Sequence, residues 1–308
     1  MIRKHTRRAA KAAFAISLGV AIVIGLLAAT VRPASGAPDA KTITIGTKNF
    51  PEEFILGQLY KQALEAKGFT VNYKENIGST ELIYAALKSK KIDLYPEYTG
   101  VVVQVINHRT SPKTAHATFL LAKQLESSKG ITVANPTPFY DTDVLAVTNA
   151  TASKYGLKSI RDLTKVGAFR LGGFPECRTR TTCFVGYKTA YGITNARFVP
   201  LAGISAYAAL DSGKVLAADV FSTDPPLAKP SKYTVLADPK HVTGFQNVVP
   251  LIRTQVVTAQ GSALTSTVNA VSAKVSQNAI LAMNKAVIVN KKSPASVARA
   301  FLKANGLL

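Results

Sequence analysis

At 308 residues the chain has the length of roughly two domains of about 150 residues each, which excludes a peptide hormone or a disulfide-stapled miniprotein. Apolar residues make up 47% and charged residues 18%, so the chain can bury a core, and bulk disorder is excluded. The formal charge of +21 invites a nucleic-acid reading, yet six of the basic residues sit in the first 37 positions, and the other 32 against 17 acids leave a diffuse +15 without an Arg-rich stripe or an aromatic-interleaved basic signature.

In chain order, Met1 to Lys11 forms a basic n-region carrying Arg3, Lys4, Arg7, Arg8 and Lys11. Ala12 to Val31 is an uncharged, predominantly apolar stretch, and Ser35-Gly36-Ala37 is a small-residue site of the kind signal peptidase cuts. Residues 1–37 therefore read as an export signal, with retention as an N-terminal anchor the alternative, since such a stretch of 20 residues reaches the length that spans a bilayer. The only cysteines are Cys177 and Cys183, so no lipobox cysteine lies near residue 37 and the exported protein is not expected to be a lipoprotein.

After Pro38 short β-rich runs alternate with helical segments, predicting an α/β architecture with largely parallel sheets. Thr42 to Gly46 reads as a strand, and Asn49 is placed to cap a helix with Pro51 and two acids in its first turn. The pair Glu52-Glu53 is expected to serve the helix dipole. Val71 to Lys74 follows as a strand, Gly78-Ser79-Thr80 opens a helix, and Ile92 to Tyr95 is a third strand. The second half offers strands at Val144 to Thr148, Phe169 to Leu171, Arg197 to Leu201 and Ala218 to Ser222, a helix start at Ser159 and a helix over Ala206 to Leu210. Val248 to Val257 reads as another strand, and helices occupy Leu264 to Val275, Ala279 to Val289 and Ala295 to Ala304. No linker or repeat divides the halves, which favours packed lobes with a cleft, where ligands bind outside the carboxyl ends of strands.

Catalytic and cofactor signatures are missing. No serine stands in a Gly-x-Ser-x-Gly elbow, and Gly213-Lys214 lacks the rest of a phosphate-binding loop. The histidines His5, His108, His116 and His241 are scattered, so neither a metal nor another cofactor is expected. Cys177 and Cys183, an even pair on the exported side, support a small disulfide loop, with two free thiols the alternative.

Six segments taken in order carry more: Ile45 to Gly57 (IGTKNFPEEFILG), Asn76 to Leu82 (NIGSTEL), Ile92 to Gly100 (IDLYPEYTG), Gly172 to Gly192 (GGFPECRTRTTCFVGYKTAYG), Val220 to Asp224 (VFSTD) and Gln246 to Pro250 (QNVVP). Over essentially the whole chain from residue 42 they resemble the substrate-binding proteins of ABC importers for glycine betaine, choline and related quaternary amines. The resemblance implies a bilobed, clamshell-like periplasmic-binding-protein fold of type II, with two mixed sheets flanked by helices. Lobe I would combine 38–140 with 247–308, and lobe II would span 141–246. It also implies a monomer that delivers its solute to a membrane permease and its ATPase, outside the cytoplasm and without catalysis.

In that family aromatic rings enclose the quaternary ammonium, which has no N–H to donate and is selected by ring faces, while basic residues hold a betaine carboxylate. Carried over, Tyr98 matches a cage tyrosine, Asp141 an acidic cage position, Arg180 the carboxylate-binding arginine and Lys48 its companion. Asn49 and Thr223 complete the expected ligand set. Four positions depart from the pattern: Asp143 and Gln246 replace cage tyrosines, Phe221 replaces a third and Val101 a Thr or Asp, leaving two clear rings unless Phe245, Phe139 or Tyr140 turns inward. The bland readings are core rings for Tyr98 and Phe221, solvated charges for Lys48 and Arg180, and turn residues for Asp141 and Asp143. The rival functions are a pocket re-tuned to another small solute, an exported enzyme on the same scaffold, and a cationic surface-interaction protein.

Overall fold

The structure, a computed structural model, describes residues 41–201, 205–228 and 231–308; the expected export signal at 1–37 lies outside them. Two five-stranded sheets organise the chain. The first contains β1 (Thr42–Lys48), β2 (Thr70–Gly78), β3 (Leu94–Tyr98), β4 (Ile131–Val133) and, from far along the chain, β10 (Val248–Arg253), in the order β2-β1-β3-β10-β4. The second holds β5 (Asp143–Thr148), β6 (Phe169–Gly173), β7 (Ala196–Pro200), β8 (Ala217–Phe221) and β9 (Tyr233–Val235), in the order β7-β6-β8-β5-β9. This is the two-lobed, type II architecture.

Both sheets are mixed, where strand and helix alternation alone predicts largely parallel ones. The βα units run parallel (β1 with β2 and β3, β6 with β7 and β8), whereas β10 is antiparallel to β3 and β4, and β5 to β8 and β9. The reversed strands β5 and β10 are those that follow the two crossings between sheets. Each sheet is covered on both faces. In β10, Val248 and Ile252 enter one core with Ile45, Leu56 and Tyr60, while Val249 and Leu251 enter another with Ile83, Leu87 and Tyr95. Such two-sided burial explains the continuous apolar run of that strand.

The run Val248 to Val257 is not all strand. Pairing ends where Ile252 faces Leu94 and Arg253 faces Ile131; beyond them the sheet offers no partner, and residues Thr254–Gln260 turn helical. Nor does Asn49 cap the first helix, α1 (Pro51–Ala66): the capping position belongs to Phe50, with Pro51 in the first turn. Other expected elements appear with shifted ends, including α2 (Thr80–Lys88).

At the crossings the two chain segments lie side by side. Tyr140 bridges Asn247, the Asp141 amide donates to the Gln246 carbonyl at 3.2 Å, and the Thr142 and Thr243 hydroxyls meet at 2.6 Å. Among the described residues no helix is long and apolar enough to cross a membrane.

Candidate functional site

A cavity opens between the sheets at the carboxyl ends of β1, β3, β6 and β8, the position expected for ligands of open α/β sheets. Lys48 ends β1 and Tyr98 ends β3; across the cleft Phe174 follows β6, and Phe221 ends β8 opposite Asp143 of β5. Lys48, Asn49, Tyr98, Asp141, Asp143, Arg180, Phe221 and Gln246 all line this cavity. Thr223 does not; it lines a neighbouring cavity that shares Phe221.

Four rings form its apolar wall. Phe50 stacks on Tyr98 with centroids 6.3 Å apart and on Phe221 at 5.1 Å, and Phe174 packs against Phe221 at 5.7 Å. The rings anticipated as substitutes are elsewhere: Phe139 is buried in the core of the first sheet, Tyr140 is exposed, and Phe245 stacks on His241. Phe50 and Phe174 take their place. A usable signal was present, because each lies just beyond the end of a strand within a motif segment, at Asn49-Phe50-Pro51 and Gly173-Phe174-Pro175.

The polar wall is dominated by acids. Lys48 is buried, its ammonium 2.5 Å from Glu97 Oε1, 3.9 Å from Glu53 and 4.3 Å from the centre of the Tyr98 ring. Glu97 is saturated, accepting also from the Tyr95 and Thr80 hydroxyls and the Tyr98 amide. Glu52 is more than a helix-dipole acid. It accepts from the Tyr98 hydroxyl at 2.8 Å, the Thr223 hydroxyl at 2.7 Å and Asn284 Nδ2 at 2.8 Å, so a buried carboxyl joins elements around the first sheet to the segment after β8 of the second. Burial raises its pKa against the pull of those three donors.

Asp141 accepts from Ser222 Oγ and the Thr223 amide, and burial, with Glu52 nearby, pushes it well up. Burial also lifts Asp143 to about 6, although Arg180 and Lys48 pull it down. Asp219 is raised by burial and then by Asp143, and its Oδ1 is buried without a partner. Three aspartates thus line the cavity with two cations, Lys48 and Arg180, each paired with a glutamate.

Arg180 is held by the loop that Cys177 and Cys183 close with a disulfide. Its Nη2 donates to Glu81 Oε1 at 2.9 Å and Oε2 at 3.0 Å, and its Nε to Oε1 at 3.3 Å. Gln246 is also committed: its Oε1 accepts from the Val101 amide, its Nε2 donates to the Thr243 carbonyl, and it presses on Gly100.

Residues 41–304 match the OpuAC family, the substrate-binding domain of ABC-type glycine betaine transport systems. The chain belongs to that family. A glycine-betaine-binding protein of Pseudomonas aeruginosa is 30% identical over 287 residues, covering 89% of this chain and 91% of the relative. The glycine betaine-binding protein YehZ of Escherichia coli is 28% identical over 296 residues, covering 91% and 95%. A solved glycine betaine/carnitine/choline ABC transporter structure shares the fold with a TM-score of 0.68 at 23% identity, covering 86% of this chain and 99% of its own. As an OpuAC-family member the chain is the extracytoplasmic solute-binding component of an ABC importer, a binding protein and not an enzyme.

Proposed function

We propose that the chain captures a small quaternary ammonium solute of the betaine and choline class between its lobes and hands it to the importer's permease. The observation that carries the reading is the convergence of Phe50, Tyr98, Phe174 and Phe221 with Asp141, Asp143 and Asp219 on one cavity. Ring faces attract a cation that cannot donate a hydrogen bond, at about 0.5–2 kcal/mol per ring. Asp143, an anion above about pH 6, adds attraction that salt screens little in a buried site. Lobe I is assigned to 38–140 with 247–308 and lobe II to 141–246, and the paired crossings serve as the hinge.

Within this class the balance of charge favours a cation without a carboxylate. Lys48 is engaged by Glu97 and Arg180 by Glu81, so a betaine carboxylate would enter beside acids with no unengaged cation waiting for it. Calorimetric titration of the purified protein, refolded to strip carried-over solute, with choline and glycine betaine in parallel tests the reading. Saturable binding of either at micromolar concentration is expected, choline the tighter; a folded sample that binds neither overturns it.

A further inference from the structure

Of the cavity's two cations, Lys48 is buried against Glu97, whereas Arg180 has its fork filled by the partly exposed Glu81. Glu81 stands in the first turn of α2, which is anchored to the first sheet through Ile83 and Leu87 in the core; Arg180 belongs to the disulfide-closed loop after β6 of the second sheet. Their pair therefore spans the cleft. Three contacts of 2.9 to 3.3 Å reproduce the fork geometry that a ligand carboxylate would adopt.

The Glu81 carboxylate is poised for this. Ser79 Oγ donates to its Oε2 at 2.5 Å; burial raises its pKa, but Ser79 and Arg180 outweigh burial and keep it below the usual range, hence ionised. Arg180 lines both the ring-walled cavity and a neighbouring groove, whereas Glu81 lines only the groove.

We infer that Glu81 is an internal surrogate for a ligand carboxylate, an interlobe latch that occupies Arg180 and makes it a specificity-determining residue against carboxylated solutes. The inference rests on the quaternary-ammonium reading for its ligands, but the latch itself does not. A solute without a carboxylate binds with the pair intact. A betaine must displace Glu81, whose side chain is 52% exposed and exchanges with water readily, so the discrimination is graded.

Two measurements on the wild type and Glu81→Gln, which keeps the side-chain shape, test it. The first needs no ligand: arginine labelling with phenylglyoxal, followed by peptide mass spectrometry, reads how far the Arg180 fork is occupied. Glu81→Gln is expected to speed labelling of Arg180 severalfold without changing that of Arg161 or Arg299; an unchanged Arg180 rate overturns the latch. The second is the ratio of glycine betaine to choline affinity, expected to rise about fivefold in Glu81→Gln, the scale of a partly exposed pair. In an Arg180→Gln background the same substitution should leave the ratio alone. A ratio that does not move while labelling speeds up overturns the specificity role. If the wild type binds neither solute, the quaternary-ammonium reading has failed, and labelling alone decides the latch.

Discussion

Asp143 sits where a cage tyrosine is expected, and the substitution changes what pH does to binding. Its carboxyl is raised to about 6 by burial, against Arg180 and Lys48 that lower it and Glu176 that raises it. Above pH 6 it is an anion facing the cavity; below, a neutral acid. Choline affinity should therefore fall as pH drops from 7.5 to 5, measured by titration, and Asp143→Asn should bind more weakly at pH 7.5 and vary less across that window. A wild-type affinity that is flat over the window would remove Asp143 from the cation's partners. The rings allow a simpler test: Phe174→Ala and Phe50→Ala should each weaken choline by about 2- to 30-fold, following from about 0.5–2 kcal/mol per ring. Sequence motifs located eight of the cavity's residues by resemblance, yet Phe50 and Phe174 escaped because a phenylalanine beside a proline reads as core or turn until the strand ends are known. Glu81 escaped because nothing local links residues 99 positions apart.

Among the elements, the loop between Cys177 and Cys183, six positions apart, has the clearest separable role. It forms a short turn from residues Pro175–Arg178 into the helix Phe184–Tyr191, and it carries Arg180 on its arc. Closing so short a loop removes unfolded-state entropy of about 2 kcal/mol. Cys177→Ser with Cys183→Ser should thus melt several degrees lower in calorimetry, by about 2–4 °C per kcal/mol for a chain of this size. The freed arc should also speed phenylglyoxal labelling of Arg180. Lower melting with unchanged labelling would confine the disulfide to stability. Element types were largely legible in the sequence because hydrophobic periodicity is local. The mixed character of the sheets was not, since strand direction in β5 and β10 depends on crossings between distant segments, and the end of β10 depends on where β3 and β4 stop supplying partners.

For the whole molecule, the unusual feature is that buried carboxyls accumulate where the lobes meet. Burial, with Glu97 adding to it, lifts Glu53 to about 8 although Lys48 opposes this, and Asp143 is lifted to about 6. A carboxyl whose folded pKa exceeds its unfolded value binds protons more tightly in the folded state, so its contribution to stability declines as pH rises between the two values. For Glu53 that window runs from its ordinary value of 4.5 to about 8. Glu53→Gln should flatten the loss of ligand-free melting temperature between pH 5 and pH 8; an identical slope in the variant would show that Glu53 is not its source.

The same reasoning separates closure from folding. Glu52 receives Tyr98 and Asn284 from elements around the first sheet but Thr223 from beyond β8 of the second, so under the lobe division proposed above the Thr223 bond crosses from one lobe to the other. If closure follows that division, parting the lobes breaks it. Removing the hydroxyl takes a donor from a buried acceptor, a cost to the closed state of about 1–3 kcal/mol. A ligand gripped by both lobes binds through that closed state, and any loss of closed population lowers its apparent affinity in proportion. Thr223→Ala should accordingly bind choline about tenfold or more weakly, while Thr223→Ser, which keeps the donor, stays near wild type. Because each lobe keeps its own core, the ligand-free melting temperature should move little. A large drop in melting temperature with undiminished affinity would instead make Thr223 a packing residue of lobe II, and Glu52 a carboxyl that serves folding more than capture.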